Sequence, residues 1–357
     1  MRVPERIAFD ARYINDRYHG IGRYAFRLLQ ALAGLGSEGA PGWAGDCTWV
    51  VFRGQASNSR FDWGSLASRT NVELKDGPWP LYWPQEQFVW PFQLRRSRAD
   101  LFYSPYFVAP LATSRPVVIT VHDLIFDRYP AYMPHAWSRP YYRLLMALST
   151  RRARRIVAVS EATAADLARL YRVPPHKVSV VLEAPDPSLC LPASAAEQEA
   201  LRRRLGITAP FLMSVGTRRP HKNQARLVRA FAAVAGQIAH DLVFAGPADE
   251  RFPDEARRTA EAAGLQDRIH FLGWVSEADL RTLYGLADLV AVPSLVEGFG
   301  LPALEAMACG TPVLAADTSS LPEVVGDAGV LVDPYDEGAL AQALVQLLRD
   351  PGWRDRL

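Results

Sequence analysis

Short apolar runs alternating with helical stretches, over the whole chain, constrain the fold more than any other feature. In the first half the runs are "RIAFDAR" (6–12), "CTWVVFRG" (47–54), "DLFYSP" (100–105), "PVVITVHD" (116–123), "RIVAVS" (155–160) and "KVSVVLEA" (177–184). In the second half they are "FLMSVGT" (211–217), "DLVFAGP" (241–247), "RIHFLGW" (268–274), "LVAVPS" (289–294), "PVLAAD" (312–317) and "GVLVDP" (329–334). Most are continuous rather than alternating, as expected of strands buried on both faces. Between them apolar residues recur at helical spacing, as with Leu227, Ala230, Phe231 and Val234 in "NQARLVRAFAAVAGQIAH". This alternation predicts an α/β protein with parallel, doubly wound sheets. At 357 residues the chain exceeds one ordinary core. The Pro/Ser/Ala stretch at 184–195 is the best hinge, giving predicted domains 1–190 and 191–357. Ligands in such sheets collect outside the carboxyl ends of the strands, so two Rossmann-like domains facing each other predict a cleft.

Composition narrows the function. A net charge of +2 gives no reason to expect a nucleic-acid partner. Cys47, Cys190 and Cys309 are too scattered for a disulfide framework or a zinc site and read as buried reduced thiols. The start "MRVPERIAFDARY" carries charges where a signal peptide needs an apolar segment. No apolar run approaches the ~18 residues of a spanning helix. The expectation is a soluble cytoplasmic protein that at most lies on a membrane.

Four loops at predicted strand ends carry the chemistry. In "YINDRYHGIGRYAFRLLQAL", Gly20 and Gly22 precede an amphipathic helix, where bare glycines let a phosphate approach backbone N–H groups. "GIGRYA" also fits the dinucleotide fingerprint, but about seven residues separate strand and Gly20 where that motif needs a tight turn. In "VITVHDLIFDRYP", His122 and Asp123 stand at a strand exit; a purely structural histidine is the other reading. In "SVGTRRPHKNQARLV", Gly216 is followed by Arg218, Arg219, His221 and Lys222 before a helix, an arrangement suited to a phosphate or diphosphate.

The fourth is "VPSLVEGFGLPALEAMACGTPVLAAD" (292–317). Gly298 and Gly300 predict backbone amides of Phe299, Gly300 and Leu301 turned towards an anion or sugar oxygens. Glu297 stands at the mouth, and Glu305 lies one turn into the helix among Leu301, Leu304, Ala306 and Met307. A carboxylate there is costly without donors. It accepts hydrogen bonds only, so its suited neutral partners are vicinal hydroxyls. Amide cradle and paired carboxylates together suit a nucleoside diphosphate sugar; glutamates paired with arginines are the bland alternative.

"EGFGLPALE" resembles the E-x7-E motif of the family 4 retaining glycosyltransferases, which have the GT-B fold. "GIGRY", "VHDLIFDRYP", "VGTRRPHKN", "IHFLGWVSEADLRTLYGLADLVAVPS" and "SSLPEVVGDAGVLVDP" agree in order, and bacterial mannosyltransferases of lipopolysaccharide and exopolysaccharide assembly are nearest in texture. The resemblance implies that Glu305 binds ribose hydroxyls and that Glu297 contacts the transferred sugar. It implies diphosphate contacts from Lys222 and the amides of Phe299, Gly300 and Leu301. Gly20 and Gly22 would shape the wall of the first domain, and His122 would touch the donor sugar. Family members usually carry an arginine directly after the strand glycine or directly before the lysine. Thr217 and His221 stand there, leaving Arg218 or Arg219 as substitutes.

The implied reaction is hexosyl transfer with retention, best matched to mannose from GDP-mannose, onto a saccharide or lipid-linked acceptor. No cofactor and no metal are expected, since the chain has no D-x-D pair. Aromatics and arginines mingle in "DGPWPLYWPQEQFVWPFQLRRSR" (76–98) and "HAWSRPYYRLLMALSTRRARR" (135–155), predicting peripheral contact with anionic lipid. An NADP-dependent oxidoreductase and a non-catalytic nucleotide-sugar or glycan-binding protein are the competing readings.

Overall fold

The computed structural model describes residues 4–15, 19–35, 47–54, 61–77, 79, 81, 83–133, 135, 137–187, 189, 192–354 and 356–357. Cys190 lies outside them. The chain divides into two compact units between Leu182 and Glu183. That is earlier than the predicted 190/191, and both points fall in the connection between the last strand of the first unit, ending at Val180, and the next helix, beginning at Ala195. That helix, Ala195–Leu205, opens with a capping box in which Ser194 and Glu197 satisfy each other's backbone N–H.

The first unit is built on β1 (Arg6–Ala11), β2 (Thr48–Arg53), β3 (Val72–Asp76), β4 (Leu101–Ser104), β5 (Val117–Val121), β6 (Arg155–Ala158) and β7 (Val178–Val180). Their order is β3-β2-β1-β4-β5-β6-β7, with every pairing parallel. The edge strand β3 is the one absent from the sequence reading. Its "VELKD" carries three charges and is buried only at Val72, so no apolar run marks it. On β1, Ile7, Phe9 and Ala11 join a core with Phe26, Leu29 and Trp49. Ala8, between them, points to the opposite core of Val50, Phe52, Trp90 and Phe102. Burial on both faces explains the continuous apolar runs.

The second unit holds β8 (Phe211–Val215), β9 (Asp241–Ala245), β10 (Ile269–Gly273), β11 (Leu289–Val292), β12 (Val313–Ala316) and β13 (Val330–Val332), in the order β10-β9-β8-β11-β12-β13 and again all parallel. One face packs on the helices Gln224–Val234 and Glu337–Arg349 through Leu227, Phe231, Leu340 and Leu344. The other packs Phe211, Met213 and Val290 against Tyr284, Ala303 and Leu321. Each sheet reverses direction once, at β1/β4 in the first unit and at β8/β11 in the second. Those reversals are where loops splay apart and ligands enter a doubly wound sheet.

The carboxyl ends of β8 and β9 are fitted by two glycines. Gly216 and Gly246 have φ of +128° and +145°, and a Cβ on Gly246 would stand inside contact distance of the Gly216 carbonyl. Gly246→Ala therefore meets both an unfavourable backbone conformation and a backbone clash. We expect a loss of about 2 kcal/mol or more, read as a lower denaturation midpoint. An unchanged midpoint would show that this edge relaxes freely.

Candidate active site

The loops leaving β8 and β11 meet at the switch point of the second sheet. After Gly216 the chain passes Arg218 and Arg219, makes a short 3-10 turn over Pro220–Lys222, and starts the helix Gln224–Val234. Asn223 makes the junction in a left-handed conformation, φ 57°, which asparagine tolerates better than most residues. Its buried side chain donates to the carbonyls of Pro293 (3.0 Å) and Pro334 (2.9 Å), tying together the loops after β8, β11 and β13. From the other side, the amide of Leu295 donates to the carbonyl of His221 at 2.7 Å.

This stapling brings Lys222 Nζ to 2.7 Å from Glu297 Oε1. The carboxylate is buried and the ammonium mostly so, at 9% and 18% exposure. Lys222 folds back over Gly216, where a Cβ would touch its Nζ at 3.8 Å. Burial alone would raise the Glu297 pKa. The Lys222 charge and hydrogen bond and the Ser294 hydroxyl outweigh it, and the carboxylate stays ionised below its usual range. His221 is pushed down to about 3, first by burial and then by the charges of Lys222 and Arg219, with Glu297 opposing. It is a neutral imidazole between two charges.

The backbone at Glu297 is held by two serines that sequence reasoning missed. Ser319 Oγ accepts from Glu297 N (3.2 Å) and donates to Glu297 O (2.6 Å). Ser320 Oγ reaches the carbonyls of Glu297 (3.2 Å) and Phe299 (2.7 Å). Gly300, with φ 110°, then turns the chain into the helix Leu301–Ala308; a Cβ there would also strike Leu321 at 2.8 Å. Phe299 is buried and Leu301 opens the helix. The first amides of any helix lack intrahelical acceptors. Glu305 sits one turn further in, 3% exposed, and accepts a 2.9 Å bond from Tyr284 Oη. Tyr284 in turn has its carbonyl bound by Thr311 Oγ1 at 2.6 Å. Neither glutamate pairs with an arginine in these bonds; a lysine and a tyrosine hold them.

The two arginines have partners of their own. The Arg218 side chain, 8% exposed, is bound to Asp254 Oδ2 (2.9 Å) and to the Gly246 carbonyl (2.6 Å), and stacked over Phe271. Arg219 reaches Asp249 Oδ2 at 2.7 Å and is the more exposed of the two. Asp249, shared with Arg251, is held well below the usual carboxylate range, chiefly by the Arg251 hydrogen bond. Among the described residues no group of three or more His, Cys, Asp or Glu side chains is placed to hold a metal ion.

In the first unit, Gly20 and Gly22 do not precede the helix as expected but lie inside its first turn, since it spans His19–Gly34. The sequence motif carries no cap signal to set that boundary. A Cβ on Gly22 would press on the carbonyls of Tyr13 (3.0 Å) and Asn15 (3.3 Å), whereas Gly20 is open. Gly22 thus admits close backbone packing, and only Gly20 leaves room above. β1 ends at Ala11 and the helix begins at His19, a longer connection than the tight turn of a dinucleotide fold. Arg53, the last residue of β2, faces Asp76 at 3.4 Å. His122 directly follows β5, with its ring edge-on to Tyr24, 4.7 Å between centroids, and its Nε2 2.9 Å from the Pro105 carbonyl. A carbonyl only accepts, so Nε2 carries a proton. Asp123 Oδ1 caps the amide of Ile125 at 2.9 Å. Cys47 is buried as expected, but Cys309 is only half-buried, its thiol donating to the Leu189 carbonyl at 3.1 Å.

Two family models cover this architecture. "Glycosyltransferase Family 4" matches residues 18–189, and "Glycosyl transferases group 1" matches 197–357. The chain is a family 4 glycosyltransferase of the GT-B fold. Membership displaces the oxidoreductase reading. The glycosyltransferase is 29% identical to the O-antigen chain mannosyltransferase B of Escherichia coli over 98% of its own length and 92% of that enzyme's. It is 37% identical to the D-inositol 3-phosphate glycosyltransferase of Salinispora tropica over 72% of its length and 58% of that protein's. Anabaena HepE, solved in complex with UDP and glucose, superimposes with a TM-score of 0.71 at 20% identity, over 99% of this chain and 91% of that one. A likeness at that identity speaks to the fold.

The depressed His221 pKa has a stability consequence. Between its unfolded value of 6.5 and about 3, the unfolded chain binds a proton that the native imidazole refuses. The stabilisation is therefore complete above pH 6.5 and is lost as pH falls, at up to about 1.4 kcal/mol per pH unit. Denaturation at pH 6.5 and 5.0 should show a smaller loss for His221→Gln than for the wild type. Equal losses would mean that His221 titrates normally.

Proposed function

We propose that this glycosyltransferase transfers a hexose, with retention and without a metal, from a nucleoside diphosphate sugar to a saccharide or lipid-linked acceptor in surface polysaccharide synthesis. The observation that carries the reading is the Lys222–Glu297 pair at the β8/β11 switch point, with the Glu305 carboxylate one helical turn below. An ammonium has three donors, and Glu297 takes one of them. The others suit a diphosphate whose negative charge grows as the glycosidic bond breaks, the electrostatic service a metal would otherwise perform. Glu297, held ionised, suits the positive charge developing on the sugar. Glu305, fixed by Tyr284, suits ribose hydroxyls, and the amides of Phe299, Gly300 and Leu301 suit the phosphates. Of the two arginines, the more exposed Arg219 is the better candidate for the diphosphate, since Arg218 is committed to Asp254 and Gly246.

The first unit takes the acceptor in this reading, with Gly20, Gly22 and His122 at the carboxyl edge of its sheet. Because Nε2–H of His122 is held by Pro105, the ring acts there as a fixed wall or through its other nitrogen. A lipid-linked acceptor is supported by Phe88 (80% exposed) and Phe92 (60%) on the helix Glu86–Arg96, beside exposed Arg95 and Arg96. Trp137 and Leu144 are likewise exposed on or beside the helix Ser138–Arg152 among exposed Arg139 and Arg143. Such mixed faces suit anionic headgroups, at the cytoplasmic side of a membrane. No helix is long and apolar enough to cross one among the described residues.

Mannose from GDP-mannose is the preferred donor, supported by the likeness to the O-antigen enzyme over nearly the whole chain. The likeness to an inositol phosphate enzyme supports a second reading, in which the acceptor is a phosphorylated polyol. A thermal-shift panel of GDP-, UDP-, ADP- and dTDP-sugars decides the donor, and GDP-mannose is expected to give the largest shift. Lys222→Ala should then weaken GDP at least tenfold in calorimetry, about 1.4 kcal/mol, while guanosine binding stays within twofold. Equal losses for both would show that the lysine acts through structure alone.

A further inference from the structure

At the switch point of the first sheet lies a buried charge cluster to which the proposed reaction assigns no role. Arg12, immediately after β1, is 2% exposed. Its Nε and Nη2 bind both oxygens of Asp10, at 2.8 and 2.7 Å, and Nη2 also binds Glu86 Oε2 at 2.8 Å. Asp10 and Glu86 are each 1% exposed. The guanidinium lies over Trp79 and Trp90, 5.4 and 5.0 Å from the ring centroids. Burial lowers the Arg12 pKa, but Asp10 and Glu86 more than offset it, so the cation is fixed. Three buried charges are no better for stability than a packed apolar plug. What they provide here is position.

The loops of this edge are built around Arg12. A Cβ on Gly77 would press on Arg12 Cδ and the Arg53 carbonyl, both at 3.3 Å, and one on Gly54 would meet the Arg12 carbonyl at 3.4 Å. The loops after β2 and β3 thus give way to it. Glu86 is the first residue of the helix Glu86–Arg96, so the ion pair pins that helix start to β1. The next residue pins it to the other side of the reversal: Gln87 donates to the Ala109 carbonyl (3.2 Å) and accepts from the Leu111 amide (2.8 Å), in the loop after β4. The same two loops meet through aromatic rings. Tyr13 packs on Tyr106 at 4.8 Å between centroids, and Tyr106 stacks with His122 at 6.3 Å.

We propose that Arg12, through Asp10 and Glu86, is a positioning residue for the acceptor side: it locks the aromatic, basic helix Glu86–Arg96 across the β1/β4 switch point and so fixes the loops that carry Tyr13, Tyr106 and His122. This rests on the reading of the first unit as acceptor-binding. The coupling itself can be tested apart from that reading.

The experiment compares Glu86→Ala, which breaks the link, with Glu86→Gln, which keeps an acceptor for Nη2. Hydrogen exchange by mass spectrometry should rise tenfold or more at 12–15 and 105–111 in Glu86→Ala and stay within twofold of wild type in Glu86→Gln. Exchange that rises only within 86–96, or nowhere, overturns the proposal whatever the substrate is. In the second arm, transfer from GDP-mannose to octyl α-mannoside should lose at least tenfold in acceptor kcat/KM for Glu86→Ala. GDP affinity should be unchanged and Glu86→Gln should restore transfer. Full acceptor use by Glu86→Ala also overturns it. A wild type that transfers nothing to this probe counts against the substrate reading and leaves the exchange result to decide. If Glu86→Ala does not fold, Arg12→Lys, which keeps the charge but not the forked geometry, takes its place with the same expected outcomes.

Discussion

The ion pair between Lys222 and Glu297 organises the second unit. Each partner comes from a loop on one side of the β8/β11 reversal, and both loops are tethered by neighbours. Asn223 ties one to Pro293 and Pro334; Ser319 and Ser320 tie the other from beyond β12. Buried charge is costly, and the structure meets that cost with hydrogen bonds from neighbours that are themselves fixed. The outcome is a cation and a carboxylate 2.7 Å apart at a ligand-binding edge. Such groups need little reorganisation when a diphosphate sugar arrives, the condition under which fixed charges act most strongly on a transition state.

The first unit solves the same topological problem with different residues. Its reversal is spanned by Arg12, Asp10 and Glu86, which are sealed from solvent beneath two tryptophans. In the proposed function the charges of the second unit meet a ligand, whereas those of the first stay enclosed as a peg. The contrast follows from exposure. Lys222 is 18% exposed and free to exchange partners, whereas Arg12, with both carboxylates, has no solvent to exchange into.

Much of this was legible in the residues because burial on both faces leaves continuous apolar runs. Twelve of the strands in the two sheets fall within such runs, and β3 escapes because its alternate residues are charged and only Val72 is buried. Glu297 and Glu305 stood out as carboxylates in apolar surroundings. Their partners did not. Tyr284 lies 21 positions from Glu305 and Lys222 lies 75 from Glu297, and nothing local marks either pairing. Glu86 is 74 positions from Arg12, so the buried cluster reads in sequence as an ordinary charged strand end and an ordinary helix start. The arginines of "TRRPHK" were visible as cations but not as cations already matched by Asp249 and Asp254, which only the folding of the loop after β9 brings near.

In the proposed function Glu297 serves the transition state rather than the ground state. Glu297→Gln keeps the shape and the hydrogen-bonding capacity and removes the charge. Steady-state kinetics with the preferred nucleotide sugar, alongside calorimetric donor affinity, measures the difference directly. A carboxylate in that role gives Glu297→Gln a fall in kcat of about 10²-fold or more, about 2.7 kcal/mol, with donor affinity within a few-fold of wild type. Normal turnover, or equal losses in turnover and donor binding, would contradict it.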